Sequence, residues 1–236
     1  MSKLSKLYLI PNVLAPGTHL QVLPLQIKEA LGHITYFMVE DLRTARRFIS
    51  DMQMGRSIES LVFHKLDKDT SIEEVAQLFD LIPQGEDVGV ISEAGCPGIA
   101  DPGALAVAYA HKHNMEIIPL VGPSSILLAL MASGFSGQSF AFHGYLPIEK
   151  DLRTAAIKSL EKEALSKRQT QLFMETPYRN NKLLEDVLRT CQPETKLCIA
   201  SDLTSAQQFI KTKRIKEWKE QLPDLNKRPT IFALSI

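Results

Sequence analysis

A chain of 236 residues holds one large domain or two modest ones of about 100–150 residues each, and can bury a sizeable core. Its 44% apolar and 23% charged content exclude the disordered and fibrous classes. Lys plus Arg (27) balances Asp plus Glu (27), so the whole chain carries no field that would by itself gather nucleic acid or an anionic membrane, although a local basic patch can hide in a neutral total.

The cysteines, Cys96, Cys191 and Cys198, are odd in number and lack C-x-x-C spacing, which fits a reducing cytoplasm. The opening MSKLSKLYLI has too short an apolar run for a secretory leader. The longest later run, residues 126–132, falls far below the roughly 18 residues that span a bilayer, so no membrane segment is expected.

Residues 7–10 read as a strand ended by Pro11 and followed by the turn residues NVLAPGT. Residues 22–31 have helical spacing at Leu23, Ile27, Ala30 and Leu31, with Pro24 in the first turn. The β-rich run TYFMV, 35–39, ends at Glu40–Asp41 beside the start of a helix over 42–52. Arg43, Arg46 and Arg47 share a face of that helix. They either contact a phosphate or carboxylate or form the solvated face usual for charged residues. A strand at 62–66 and a capping box, Ser71 with Glu74, lead into a helix through Ile82. Residues 88–91 form a uniformly apolar strand, 103–113 a crossover helix and 117–120 the next strand. This βαβα alternation predicts a parallel sheet.

Beyond Gly122–Pro123 the pattern changes. Ser124 or Ser125 caps a helix of small and apolar residues stopped by Ser133–Gly134. Strands follow at 139–143, 169–174, 196–200, 208–211 and 230–235, with helices at 151–166, at 179–190 and through Trp218. Close-spaced strands imply antiparallel pairs. The expected fold is α/β with two α/β domains, 1–120 and 121–236, the first sheet mainly parallel and the second mixed.

No G-x-G-x-x-G occurs, and Ala104–Leu105 stands where a P-loop needs Lys and Ser or Thr, so neither nucleotide fingerprint is met. Metal-binding spacings and a G-x-S-x-G elbow are also missing, and no metal is expected. What remains is the loop SEAGCPGIADPG, 92–103. Gly95, Gly98 and Gly103 remove side-chain bulk, while Pro97 and Pro102 stiffen the path. Asp101 as N-cap and Pro102 at the first helical position account for its end. The preceding residues exceed what a strand-to-helix connection needs, which marks a ligand crevice at the carboxyl end of the strand.

ISEAGCPGIADPG followed by PLVGPSSILLALMASG resembles the paired motifs of the tetrapyrrole methylase superfamily of S-adenosylmethionine-dependent methyltransferases. LYLIP, EDLRTARRFI, FHGYLP and LFMETPYR extend the resemblance in order along the chain. They are nearest the branch that methylates a cytidine ribose 2′-hydroxyl in small-subunit ribosomal RNA. The resemblance implies two domains with a cofactor cleft between them, and a homodimer. It implies S-adenosylmethionine held by Ser92, Ala94, Gly95, Cys96, Pro97, Ile99, Ser124, Ser125, Met174, Leu203 and Thr230. Acceptor-side segments depart from that branch: PNVLAPGTHLQV, Ser201 to Ser205, and Lys227–Arg228–Pro229 keep little of its pattern.

A ribose hydroxyl needs a base or a desolvated acceptor, and Glu40, Asp41, Glu93 and Glu175 are the candidates at strand ends. Arg43, Tyr178 and Arg179 are candidates for substrate phosphate or base; Glu175 and Arg179 equally suit a local ion pair. The expected partner is ribosomal RNA or the small ribosomal subunit. A small-molecule, tetrapyrrole-like acceptor is the second reading, and a catalytically silent protein that keeps the donor cleft is the third.

Overall fold

The structure, a computed structural model, describes residues 5–236; the first four residues of the segment read above as too short for a leader lie outside them. The chain divides into two compact units, Met1–Ser124 and Ser125–Ile236.

The first unit contains β1 (Lys6–Ile10), α1 (His19–Val22), α2 (Leu25–His33), β2 (Tyr36–Val39), α3 (Leu42–Asp51), β3 (Val62–Lys65), α4 (Ile72–Asp80), β4 (Val88–Ile91), α5 (Gly103–Lys112) and β5 (Glu116–Pro119). Its five strands pair in the order β3-β2-β4-β1-β5, all parallel. β4 is buried along its whole length because both faces are covered. On one face Ile27, Leu31, Ala45 and Phe48 of α2 and α3 pack on Ile10, Phe37 and Val39. On the other, Val75 and Phe79 of α4 and Ala106 and Ala110 of α5 pack on Leu7, Met38 and Val90.

Two details differ from the sequence expectation. The helix predicted over 22–31 is split into α1 and α2. Pro24 stands outside α2 with ψ 156°, since proline drives the residue before it out of the helical region and Leu23 has ψ 130°. Asp101 is not the N-cap of α5; Pro102 holds that position and the helix begins at Gly103. The predicted capping box at Ser71 and Glu74 is formed in both directions.

The second unit contains α6 (Ser125–Ser133), β6 (Phe140–Tyr145), α7 (Lys150–Lys167), β7 (Thr170–Met174), α8 (Asn180–Thr190), β8 (Lys196–Ser201), β9 (Phe209–Arg214), α9 (Ile215–Trp218) and β10 (Thr230–Ser235). The strand order is β6-β7-β10-β8-β9; β6 and β7 are parallel and the other pairs antiparallel, so this sheet is mixed. Phe173, Phe232, Leu197 and Ile199 face Ile157 and Leu160 of α7, Leu184 and Val187 of α8, and Trp218 of α9. The Trp218 indole N–H donates to the Leu197 carbonyl at 2.9 Å, so its burial leaves no polar atom stranded.

α7 and α8 are joined by a buried ion pair. Arg153 on α7 donates through Nε (2.8 Å) and one terminal nitrogen (2.5 Å) to Oδ2 of Asp186 on α8, which is fully buried. Removing the carboxylate leaves a buried guanidinium unpaired, so Asp186→Ala is expected to lower unfolding free energy by about 3–5 kcal/mol, read from the urea midpoint. An unchanged midpoint would show that the pair contributes nothing.

Candidate functional site

The first sheet reverses direction between β2 and β4. β2 connects through α3 to β3 on one side and one face; β4 connects through α5 to β5 on the other side and the opposite face. Adjacent loops that diverge in this way open a crevice at the carboxyl ends of the strands, where open α/β sheets bind ligands. Glu40 and Asp41 follow β2, and the 92–103 loop follows β4.

Asn12, just past β1, ties that loop down. Its backbone N–H donates to the Gly95 carbonyl (2.9 Å), and Gly95 N–H returns a bond to the Asn12 carbonyl (3.1 Å). Its side-chain amide donates to the carbonyls of Ser92 (3.2 Å) and Glu93 (3.0 Å). Nothing in the acceptor-side comparison of PNVLAPGT pointed to this role; the signal was an asparagine directly after a strand-ending proline. The Ser92 hydroxyl donates to the Gly95 carbonyl at 3.0 Å and Cys96 Sγ lies 3.4 Å from the Pro123 carbonyl. Ser92, Gly95, Cys96 and Pro97 are therefore held in the fold, while Glu93, Ala94 and Ile99 are exposed.

The loop then doubles back. A Cβ on Gly103 would lie 2.9 Å from the Gly98 nitrogen, and one on Gly122 only 2.1 Å from Cβ of Pro11. Ala100 takes φ +59°, unusual for a residue with a side chain. The turn brings Asp101 near enough to Glu40 for the two carboxyls to act on one another's charge, with the backbone of Gly98 and Gly103 beside it.

The carboxylates predicted as a set have different surroundings. Asp41 accepts from Thr44 N–H at 2.7 Å as the N-cap of α3, and that bond holds its pKa below the usual range. Burial, then the Glu40 charge, pushes Asp101 up to about 7. Glu93, though exposed at its surface, is raised in the same sense, first by partial loss of hydration and then by Glu40 and Asp41. Arg43 is exposed on α3, and Arg46 lies 5.4 Å over the Phe63 ring. Asp101 is the member of this group that the sequence reading assigned only to helix capping.

In the second unit the carried-over positions gather at one end of the sheet. Tyr145 at the end of β6 pairs with Met174, Met174 pairs with Ile231, and Thr230 pairs with Ser201. The Thr230 and Ser201 hydroxyls lie 2.8 Å apart. Buried Leu203 sits between two non-glycine residues of positive φ, Asp202 (47°) and Thr204 (70°), and the Thr204 hydroxyl is buried without a hydrogen-bond partner. Such strain concentrates at functional loops. Glu175 is buried and its Oε1 accepts from Arg179 (2.6 Å) and Thr176 N–H (2.7 Å), the local ion pair that the spacing allowed. Tyr178 and Tyr145 are 74% and 58% exposed, leaving both rings free for stacking. Ser124 ends the first unit and Ser125 opens α6 in the second.

A hollow of about 450 Å³ lined by Lys65, Asp67 and Leu78, and one of about 210 Å³ lined by Phe79, Val88 and Tyr109, touch none of these loops. Among the described residues no group of three or more His, Cys, Asp or Glu is arranged to hold a metal ion, and no helix is long and apolar enough to cross a membrane.

A family model described as Tetrapyrrole (Corrin/Porphyrin) Methylases matches residues 29–219. The chain is 27% identical over 210 residues to the Ribosomal RNA small subunit methyltransferase I of Buchnera aphidicola subsp. Schizaphis graminum, covering 89% of this chain and 70% of that protein. It is 26% identical to the protein of the same name from Vibrio cholerae, covering 86% and 67%. The crystal structure of the methyltransferase CobJ superposes with a TM-score of 0.65 over 99% of this chain and 94% of that one, at 17% identity, a likeness of fold.

The contact between Gly122 and Pro11 gives a direct test of how tightly the crevice loops are fitted. Gly122→Ala must displace one of two backbone segments, and is expected to cost about 1–3 kcal/mol in chemical denaturation. A neutral substitution would show the loops to be loosely held.

Proposed function

The chain belongs to the tetrapyrrole methylase family, and on that premise we propose that it is an S-adenosylmethionine-dependent methyltransferase acting on a ribose 2′-hydroxyl of small-subunit ribosomal RNA. The observation that carries the acceptor is the similarity over 89% of the chain to a protein named for small-subunit ribosomal RNA methylation. The ribose hydroxyl follows from the resemblance of EDLRTARRFI, FHGYLP and METPYR to that branch. The same resemblance supports a cytoplasmic homodimer of two-domain subunits.

The residues present suit the methyl donor. The backbone of Ser92, Ala94, Gly95, Cys96 and Pro97, with Ile99 as an apolar neighbour and Ser124 beside the Gly122–Pro123 turn, would hold it in the first unit. The resemblance assigns Met174, Leu203, Thr230 and Ser125 of the second unit to the donor as well. The unpartnered Thr204 hydroxyl beside Leu203 offers a polar group that a ligand would satisfy. When bound, the donor supplies an electrophilic methyl on a sulfonium, so neither a metal nor a covalent enzyme intermediate is needed.

The chain's own part is to place the hydroxyl and take its proton. Asp41 is occupied as a cap and Glu175 by Arg179, which leaves the Glu40–Asp101 pair, with Glu93 alongside, as the proton acceptor. As pH rises through about 7 Asp101 loses its proton and becomes able to accept one from an alcohol held against it. Tyr178 and Tyr145 stack on bases and Arg43 meets phosphate, while Arg179 is committed to Glu175.

Calorimetry with S-adenosylhomocysteine tests the donor: saturable binding is expected, and none would reject the family's activity for this chain. Small ribosomal subunits from cells lacking the protein should become methylated by the purified enzyme; failure with donor binding intact would reject the acceptor. Asp101→Asn is expected to lower kcat by about 10²–10⁴-fold with little change in donor affinity. An unimpaired variant would remove Asp101 from the chemistry.

The same substitution has a stability signature. Between an ordinary aspartate pKa near 3.8 and the folded value of about 7, the folded state keeps a proton that the unfolded state has released. Stability therefore falls as pH rises through that window and levels off above it. Asp101→Asn should flatten this slope and gain stability relative to the parent at pH 8, as followed by thermal unfolding. An unaltered slope would mean that Asp101 is not the raised group.

A further inference from the structure

The neutral total charge conceals a concentrated basic segment. Residues 208–219, QFIKTKRIKEWK, carry five Lys or Arg against one Glu. They form β9, the edge strand of the second sheet, and α9, which follows it. The β8–β9 register sets Lys211 opposite Ile199 and Lys213 opposite Leu197, so both lysines project on the face that carries α7, α8 and α9. Alternate strand residues repeat about every 6.8 Å along an antiparallel strand, which spaces the two ammonium groups along a line rather than in a cluster.

Aromatic rings support that line. Lys213 Nζ lies 5.1 Å over the Trp218 ring, and Arg228 lies 5.9 Å over Phe209 at the other end. Among the described residues neither Lys211 nor Lys213 forms an ion pair, whereas Arg228 is bound to Asp202 at 2.5 Å. Glu194 serves both Arg214 (3.2 Å) and Lys216 (2.5 Å), and the Glu217 carboxylate accepts the Arg214 backbone N–H (2.8 Å), so the uncompensated charges along β9 are those of Lys211 and Lys213. The strip is thus a linear, under-neutralised row of cations.

We propose that the β9 edge, through Lys211 and Lys213, is a docking surface for the sugar–phosphate backbone of a single RNA strand. This rests on the reading of the acceptor as ribosomal RNA and deepens it by assigning part of the contact to a surface outside the crevice loops. Charge complementarity carries the assignment: a polyanion with regularly spaced charges matches a row of cations, and release of its counterions drives binding. Edge lysines also discourage pairing between sheet edges. Glutamate at the same positions would keep that function and reverse the attraction, which separates the two roles.

The test uses the full chain and a mixed-sequence single-stranded RNA oligonucleotide as probe, with affinity measured across a range of salt. The doubly reversed variant Lys211→Glu/Lys213→Glu is expected to lose at least ten-fold in affinity, with the slope of log K against log salt reduced by about 1.4, two contacts at about 0.7 each on a single strand. Its S-adenosylhomocysteine affinity should stay unchanged. Because Lys213 touches Trp218, the exposed single variant Lys211→Glu is measured in parallel and should retain parental stability while losing about half of that slope change. Parental RNA affinity in both variants would overturn the docking surface while leaving the methyltransferase reading intact. Loss of self-association in sedimentation with RNA affinity unchanged would also overturn it, making the edge a subunit contact. If the parent chain neither binds RNA nor methylates subunits, the acceptor reading fails first and the docking surface with it.

Discussion

The first unit depends on the reciprocal bonding of Asn12 with the loop after β4. β1 and β4 are neighbours at the centre of the parallel sheet, and their carboxyl ends emerge side by side. Without a fastening, a loop of the length of residues 92–102 would be free to sample many conformations, and ordering it costs about 1–2 kcal/mol per residue in backbone entropy. Four bonds from one buried asparagine fix its first half. The doubled-back turn at Gly98 and Gly103 fixes the second, and Asp101 follows from that geometry.

One residue type performs several tasks around this crevice because surroundings, not identity, set the charge. Asp41 meets a backbone N–H and is held ionised. Asp101 meets another carboxyl in a partly dry space and is driven toward the protonated form at neutral pH. Glu175, in the second unit, is buried yet compensated by Arg179. A pair whose environment splits it between proton donor and acceptor is a common arrangement at sites of proton transfer, and a capped or ion-paired carboxylate is a common arrangement at structural positions.

Much of this was legible from the sequence. The uniformly apolar 88–91 run announced a strand buried on both faces, the S-I-E-E motif announced the cap of α4, and alternation of strands and helices announced the parallel sheet. The ordered motifs announced the family. What failed had local causes. Pro24 was placed in a helix that the restriction on its preceding residue breaks, and Asp101 was assigned to a cap because Asp-Pro before a helix usually is one. The Asn12 fastening and the Glu40–Asp101 pair join residues far apart in the chain, and no local pattern encodes a contact whose two halves lie on different strands' loops. The basic edge was hidden for another reason: charge summed over the whole chain erases its distribution.

The strand order of the second sheet bears on when the protein can exist. β10 lies between β7 and β8, paired to both, although it follows β9 in sequence. Until residues 230–235 have left the ribosome, β6–β7 and β8–β9 are two separate halves with open inner edges and a core lacking Phe232 and Leu234. The first unit has all five of its strands by residue 119 and can fold while synthesis continues. Both sheets are thus closed by an interior strand made after its neighbours, β4 between β2 and β1 in the first and β10 between β7 and β8 in the second. When β10 is inserted, the positions proposed to meet the donor, Met174, Leu203 and Thr230, are brought to one end of the sheet together.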